Sequence, residues 1–141
     1  MLNSGVVCIR QGTLQFMALE LLRAAKNGKA VEHTVSHDLE SIALVFGYTV
    51  MRHTLNIPGC PPSILELFNT IYGAVTVSEI IQKRKSQQPL TWLEDTEDDL
   101  DDFMKQTASL SMIQLMYNLG VAIHSVNDAV SRNKLVCSHP P

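Results

Sequence analysis

The chain has 141 residues, about one domain's worth, and its 45% apolar and 18% charged residues are those of a globular protein, which excludes disorder over most of its length. The formal net charge of −3 hides a segregation. Residues 94–102 (EDTEDDLDD) hold seven of the fourteen acids, and the other seven against eleven bases leave a surplus of four positive charges.

In chain order, the first predicted helix covers about residues 16–25, with Met17, Leu21 and Ala24 near one face and Gly28 placed to stop it. A second begins near Ser36 or Asp38, whose side chains can accept hydrogen bonds from free backbone N–H groups, and runs to about Thr54. Leu39, Ile42, Ala43, Phe46 and Val50 form its core stripe, while Leu44, Val45, Tyr48 and Met51 fall on its other sides. A helix apolar nearly all round belongs in the middle of a domain. NIPGCPP at 56–62 is a loop, because Pro58-Gly59 favours a turn and Pro61-Pro62 suits only a helix start.

One long helix is expected next, since Ile64, Leu67, Phe68, Ile71, Val75 and Ile80 recur at helical spacing. Lys83, Arg84 and Lys85 gather at its end, where positive charge suits the helix dipole. SQQPLT at 86–91 links to Trp92 and the acidic block, which favours the positive end of a further helix. A calcium loop requires alternating oxygen ligands, a glycine at the sharp turn and a closing glutamate, and that spacing is absent. From 110 to 130, Ile113, Met116, Gly120, Ile123 and Val130 again follow a helical period, and the tail SHPP is expected to fray. The predicted architecture is all-α, with four to six helices in one domain over 1–141.

The positive surplus is scattered apart from Gln82-Lys83-Arg84-Lys85 and never interleaves with aromatics, so no nucleic-acid surface is expected. Cys8, Cys60 and Cys137 are far apart and form no CxxC pair, which favours free thiols in a reducing compartment over a disulfide framework or a zinc site. MLNSGVVCIRQGT has no cationic start leading into a sustained apolar segment, so no signal peptide is read. The longest apolar run, 42–51, falls short of the about 20 residues that a helix needs to cross a bilayer. An intracellular protein without membrane contact is the expectation.

His33 and His37 are spaced four apart, but Thr-Val-Ser separates them, they precede the expected helix start, and no third ligand accompanies them. Solvated or capping roles fit them better than metal ligation. No serine lies in a G-x-S-x-G elbow.

Two stretches carry more specific information: GTLQFMALE at 12–20, and HDLES at 37–41. The first resembles the end of a protein-kinase activation segment, G-T-x-x-Y/F-M-A-P-E, with Leu19 in place of the proline. The second resembles the kinase D-x-W-S-x-G segment that opens the central helix of the C-terminal lobe, without its tryptophan and glycine. HDLES, preceded by His33-Thr34 and followed by an apolar helix and Pro89-Leu90-Thr91-Trp92, is closest to the fungal-type protein kinases. The resemblance is specific over 10–50, looser to 92 and weak beyond.

The resemblance implies the helical C-lobe of a kinase-like fold. It implies that Gly12 and Thr13 support the catalytic loop, and that the stretch from Leu14 to Ala18, including Phe16 and Met17, forms the shelf beneath a substrate peptide. It also implies that Glu20 enters a buried ion pair with a late arginine, Arg84 or Arg132, and that Asp38 braces the catalytic loop from the central helix. These roles are supportive rather than chemical.

Phosphoryl transfer requires a glycine-rich loop, a lysine on the third strand, a catalytic-loop aspartate and a magnesium-binding aspartate, all of which precede the activation segment in a kinase. Here eleven residues precede Gly12, without Asp, Glu or Lys, and the seven glycines never form G-x-G. His37-Asp38-Leu39 imitates H-R-D-L but follows the shelf, and Asp102-Phe103-Met104 imitates D-F-G but lies far downstream. The expectation is therefore a kinase-family fragment, truncated and inactive, with no catalytic, cofactor-binding or metal-binding residue of its own. ATP and magnesium are implied only for an intact family member. The alternative is a non-catalytic helical module that binds a protein partner.

Overall fold

The computed structural model describes residues 14–86 and 98–136. Among them there is no strand: a 3-10 turn, Leu14–Phe16, is followed by six helices, α1 (Leu19–Lys26), α2 (Val35–Leu55), α3 (Pro62–Tyr72), α4 (Val77–Ser86), α5 (Asp98–Thr107) and α6 (Leu110–Val136). The all-α expectation holds. None of the described helices is by itself long and apolar enough to cross a membrane.

The first predicted helix is in fact two elements, because Ala18 is extended at φ −57°, ψ 143° and separates the 3-10 turn from α1. Met17 thus falls outside the helix, and Leu19, Leu22 and Ala24 are buried on it instead of the Met17–Leu21–Ala24 face. Gly28 does stop α1. At φ +62° it adopts a left-handed conformation open to glycine, the Lys29 N–H reaches the Ala24 carbonyl at 2.9 Å, and the Gly28 N–H reaches that of Ala25 at 3.3 Å.

Helix α2 starts earlier than Ser36 or Asp38. Thr34 is its N-cap, and His37 takes the third helical position, with its Nδ1 accepting the Thr34 N–H at 3.1 Å. This is the return half of a capping box, supplied by an imidazole where a carboxylate or amide is usual. The expected core stripe is rotated. Leu39 and Ile42 are 61% and 64% exposed, whereas Ala43, Leu44, Gly47, Val50, Met51 and Thr54 are buried, together with His37 and Glu40. With apolar residues all round, periodicity had no polar face from which to fix the phase.

The long helix expected over 64–85 is broken. Gly73 caps α3, the chain turns through 118°, and α4 starts afresh at Val77. The restart is a full capping box: Thr76 Oγ1 accepts the Glu79 N–H at 3.3 Å and Glu79 Oε2 accepts the Thr76 N–H at 3.2 Å. Val75 therefore lies exposed in the turn, while Ile64 and Ile80 are buried on separate helices. Pro62 occupies the first position of α3, as its missing N–H allows. Gly59 turns the preceding loop at φ +82°.

Asp98, Asp99, Asp101 and Asp102 open α5, where a helix dipole favours acids. The first half of the acidic block, Pro89 to Trp92, the SHPP tail, Cys8 and Cys137 lie outside the described residues. On α6, Met116 and Gly120 are buried and Ile113 and Ile123 half-buried, at the expected spacing.

One apolar cluster gathers Ala43, Val50, Met51, Ile64, Tyr72 and Met116 from α2, α3 and α6. A second gathers Leu14, Leu19, Leu22, Ala74, Ile80 and Ile81 from the 3-10 turn, α1 and α4 with its leading turn. Helix α2 is central: it packs against the 3-10 turn, α3 and α6.

Candidate functional site

The segment of interest is residues 14–20, the part of GTLQFMALE that the structure describes; Gly12 and Thr13 lie outside it. Three features of sequence fix its course. Leu14 turns into the second apolar cluster, and Met17 packs against the same cluster. Phe16 points the other way, edge-on to Tyr48 of α2 with ring centroids 5.2 Å apart. Tyr48 continues into Tyr72 and Phe68 of α3 at 5.2 and 5.4 Å, so the 3-10 turn rests on an aromatic stack. Such edge contacts are each worth about 0.5–1.5 kcal/mol beyond their buried area.

Polar groups hold the backbone of the same segment. The Arg84 guanidinium, reaching in from α4, donates to the carbonyls of Gln15 and Met17. Gln15 Nε2 donates to the Ala74 carbonyl at 3.2 Å. Glu40, one turn into α2, accepts the Leu19 N–H through Oε1 at 3.0 Å, which satisfies a donor at the start of α1 that no helical carbonyl can reach. The same oxygen lies 4.0 Å from Arg84 Nη1, and the two side chains are 9% and 7% exposed. A buried arginine, a buried glutamate and three backbone groups thus form one knot.

Burial pulls the Arg84 guanidinium down to about 10, against the pull of Glu40 and Tyr72, which favour its charge. It therefore stays charged at neutral pH. Burial pushes the neighbouring Tyr72 phenol up, so it keeps its proton and donates to the Leu44 carbonyl at 3.4 Å. The basic run at 83–85 is thus only partly a matter of the helix dipole: Lys83 Nζ lies 3.5 Å from the Asn69 carbonyl, Lys85 is exposed, and Arg84 is turned inward.

Glu20 has its hydrogen bond to His37, whose Nε2 lies 3.0 Å from Oε2. Because His37 Nδ1 accepts from a backbone N–H, the proton of the neutral ring sits on Nε2 and is donated to Glu20. The ion pair of Arg84 goes to Glu40, and Arg132 is exposed on α6. Among the described contacts, Glu20 meets His37 and Arg84 meets Glu40. Glu20 sits at the second position of α1 and faces the start of α2, while Glu40 lies a turn deeper, where Arg84 enters.

Asp38 is exposed on the first turn of α2, with His33 Nε2 3.4 Å from its Oδ1. His33 and His37 stand 5.6 Å apart, centroid to centroid. His37 thus has the capping role, and both of its ring nitrogens are engaged. Asp102 is exposed on α5, and the Phe103 beside it packs against the first apolar cluster. Glu40 and the inward turn of Arg84 are what sequence reasoning missed. The available signal was a glutamate at a position of α2 that the rotated stripe buries.

A second feature lies on the opposite side of α2. Leu39, Ile42, Ala43 and Phe46 face Leu115, Leu119, Ala122, Ile123 and Val126 of α6 across an apolar groove of about 380 Å³. Its walls are almost free of polar atoms, although Leu39 and Ile42 are more than half exposed.

Neither a curated protein nor a solved structure matches the chain. A family model described as fungal protein kinase matches residues 3–50, a stretch that includes the 3-10 turn, α1 and the first sixteen residues of α2. Over those residues the chain is similar to the fungal protein kinases.

Proposed function

We propose that this chain is the substrate-shelf and central-helix part of a fungal-type Ser/Thr protein kinase, and that by itself it transfers no phosphoryl group. The observation that carries the reading is the family match over 3–50, together with the order GTLQFMALE then HDLES within it. The packing of the 3-10 turn on α2, with Phe16 on Tyr48 and Arg84 on two carbonyls, supports the reading. In such a protein the shelf would carry the backbone of a peptide substrate, and α2 would be the scaffold on which it is mounted.

Among the described residues, Glu40 is committed to Leu19 and Arg84, and Asp38 stands beside His33, so this reading gives neither a part in holding ATP or magnesium. No step is therefore assigned to the nucleotide on this chain. A protein substrate or partner inside the cell is the interaction this reading calls for, without nucleic acid or membrane. The unpaired spacing of the three cysteines supports a reducing compartment.

Titration of the purified chain with magnesium-ATP tests the inactive reading. No heat or fluorescence change is expected, and micromolar binding overturns it. Long transcripts that extend upstream of Met1 test the kinase reading: in-frame coding for a glycine-rich loop, a lysine and two aspartates is expected, and unrelated upstream coding counts against it.

A second reading, a helical module that binds a protein without catalysis, draws on the exposed groove between α2 and α6. A stoichiometric complex with an identified protein, abolished by Leu39→Ser with Ile42→Ser, supports it. A ligand-free product that self-associates through this face supports the kinase fragment instead.

A further inference from the structure

The boundary between the two apolar clusters is where the shelf meets α2, and much of what crosses it is polar. Glu40 of α2 accepts the Leu19 N–H and faces Arg84 of α4; His37 of α2 donates to Glu20 of α1. Phe16 against Tyr48 is the apolar peg through this seam. The Arg84 bonds to Gln15 and Met17, by contrast, do not cross it. They tie α4 to the shelf, on the same side as the cluster of Leu14, Leu19, Leu22, Ala74, Ile80 and Ile81.

We propose that the 3-10 turn, α1 and α4 form one cooperative unit that docks on α2 through this polar seam and opens from it as a body, so that the shelf is presented or withdrawn whole. Opening along the seam lets water replace hydrogen bonds that were polar already, whereas opening within the unit would expose its apolar cluster. Opening along the seam also parts α4 from α3, where Lys83 Nζ lies 3.5 Å from the Asn69 carbonyl, but it leaves the second apolar cluster closed, and local opening follows such surfaces in cooperative blocks. The sequence distance is what makes the device informative: α1 and α4 lie about 50 residues or more apart in the chain, and Leu19, Leu22, Ile80 and Ile81 make them neighbours. The meaning of this opening for a peptide substrate rests on the kinase reading; the cooperative unit itself does not.

Hydrogen exchange of the whole chain, read by mass spectrometry on peptides from each helix, tests it. Glu40→Gln weakens the seam at both Glu40 contacts, the Leu19 N–H and Arg84, and leaves the apolar cluster of the unit in place. The amides of α1 and α4 should then exchange faster by a common factor of about ten or more, while those of α3 and α6 keep their rates. Leu22→Ala opens the apolar cluster inside the unit, so α1 and α4 should no longer accelerate together. Equal acceleration of all helices in Glu40→Gln, or acceleration of α1 without α4, overturns the proposal. If Glu40→Gln does not fold, Glu20→Gln perturbs the other end of the seam and must give the same paired response. Neither result depends on whether the chain binds ATP, so failure of the unit and failure of the kinase reading are distinguishable.

Discussion

Replacing Arg84 by methionine keeps a long apolar stem and removes the fork that two carbonyls and a carboxylate share. Glu40 then stays buried without its counter-charge, a change that typically costs about 3–5 kcal/mol. Arg84→Met is thus expected to lower the urea midpoint sharply, and Arg84→Lys to recover only part of the loss, because one ammonium cannot serve both carbonyls as a planar fork does. Glu20→Ala is the informative contrast. Its carboxylate is about a quarter exposed and bonded to an imidazole, so the expected loss is nearer 1 kcal/mol, well below that of Glu40→Ala in the same denaturation assay. A larger loss for Glu20 than for Glu40 would return the principal ion pair to Glu20. The pH dependence follows from the direction of the Arg84 shift. Its folded value, about 10, lies below the ordinary one, so the unfolded chain binds more protons between the two. The cost of burying the charge is fully present below about 10 and fades as pH rises beyond it. Between about pH 6 and 9 the Arg84 shift by itself therefore adds no slope to the stability of the unaltered chain, and the measurement that checks this is urea unfolding across that range.

At the scale of the element, the division of 62–86 into α3 and α4 rests on a glycine and a capping box. A methyl group at Gly73 would run into the Asn69 carbonyl, so Gly73→Ala forces the turn to shift. Thr76→Ala removes one half of the box and should cost about 1 kcal/mol, with faster hydrogen exchange confined to the first turn of α4. The signal T-V-S-E at 76–79 was present in the sequence, but the apolar spacing across it continued at helical period and outweighed it. Helix α1 shows the opposite case. Its end was legible from Gly28 because a left-handed residue leaves its mark locally, whereas its start was not, since Ala18 is extended only where Arg84 and Glu40 hold the backbone on either side of it. The capping of α2 by His37 was open to the same kind of reading, as one of the roles that suit a histidine just before a helix.

For the molecule as a whole, the rotated phase of α2 makes a clear prediction. Leu39→Ser with Ile42→Ser alters residues that sit more than half exposed, so the expected loss is small, about 0.5 kcal/mol or less per site, while self-association seen by light scattering should fall. Collapse of the fold in that variant would put these residues back in the core. The sequence by itself determined the all-α class, the central place of α2, the proline start of α3, and the likeness to the fungal protein kinases that the family match covers over 3–50. These follow from composition, chain order and short-range stereochemistry, which any stretch of chain carries with it. The tertiary structure alone decided which face of α2 is buried, which glutamate receives Arg84, and that two apolar clusters meet across a polar seam. Those outcomes depend on which groups arrive together from positions up to 69 residues apart, and pairwise burial of charge and shape is settled only when the partners meet.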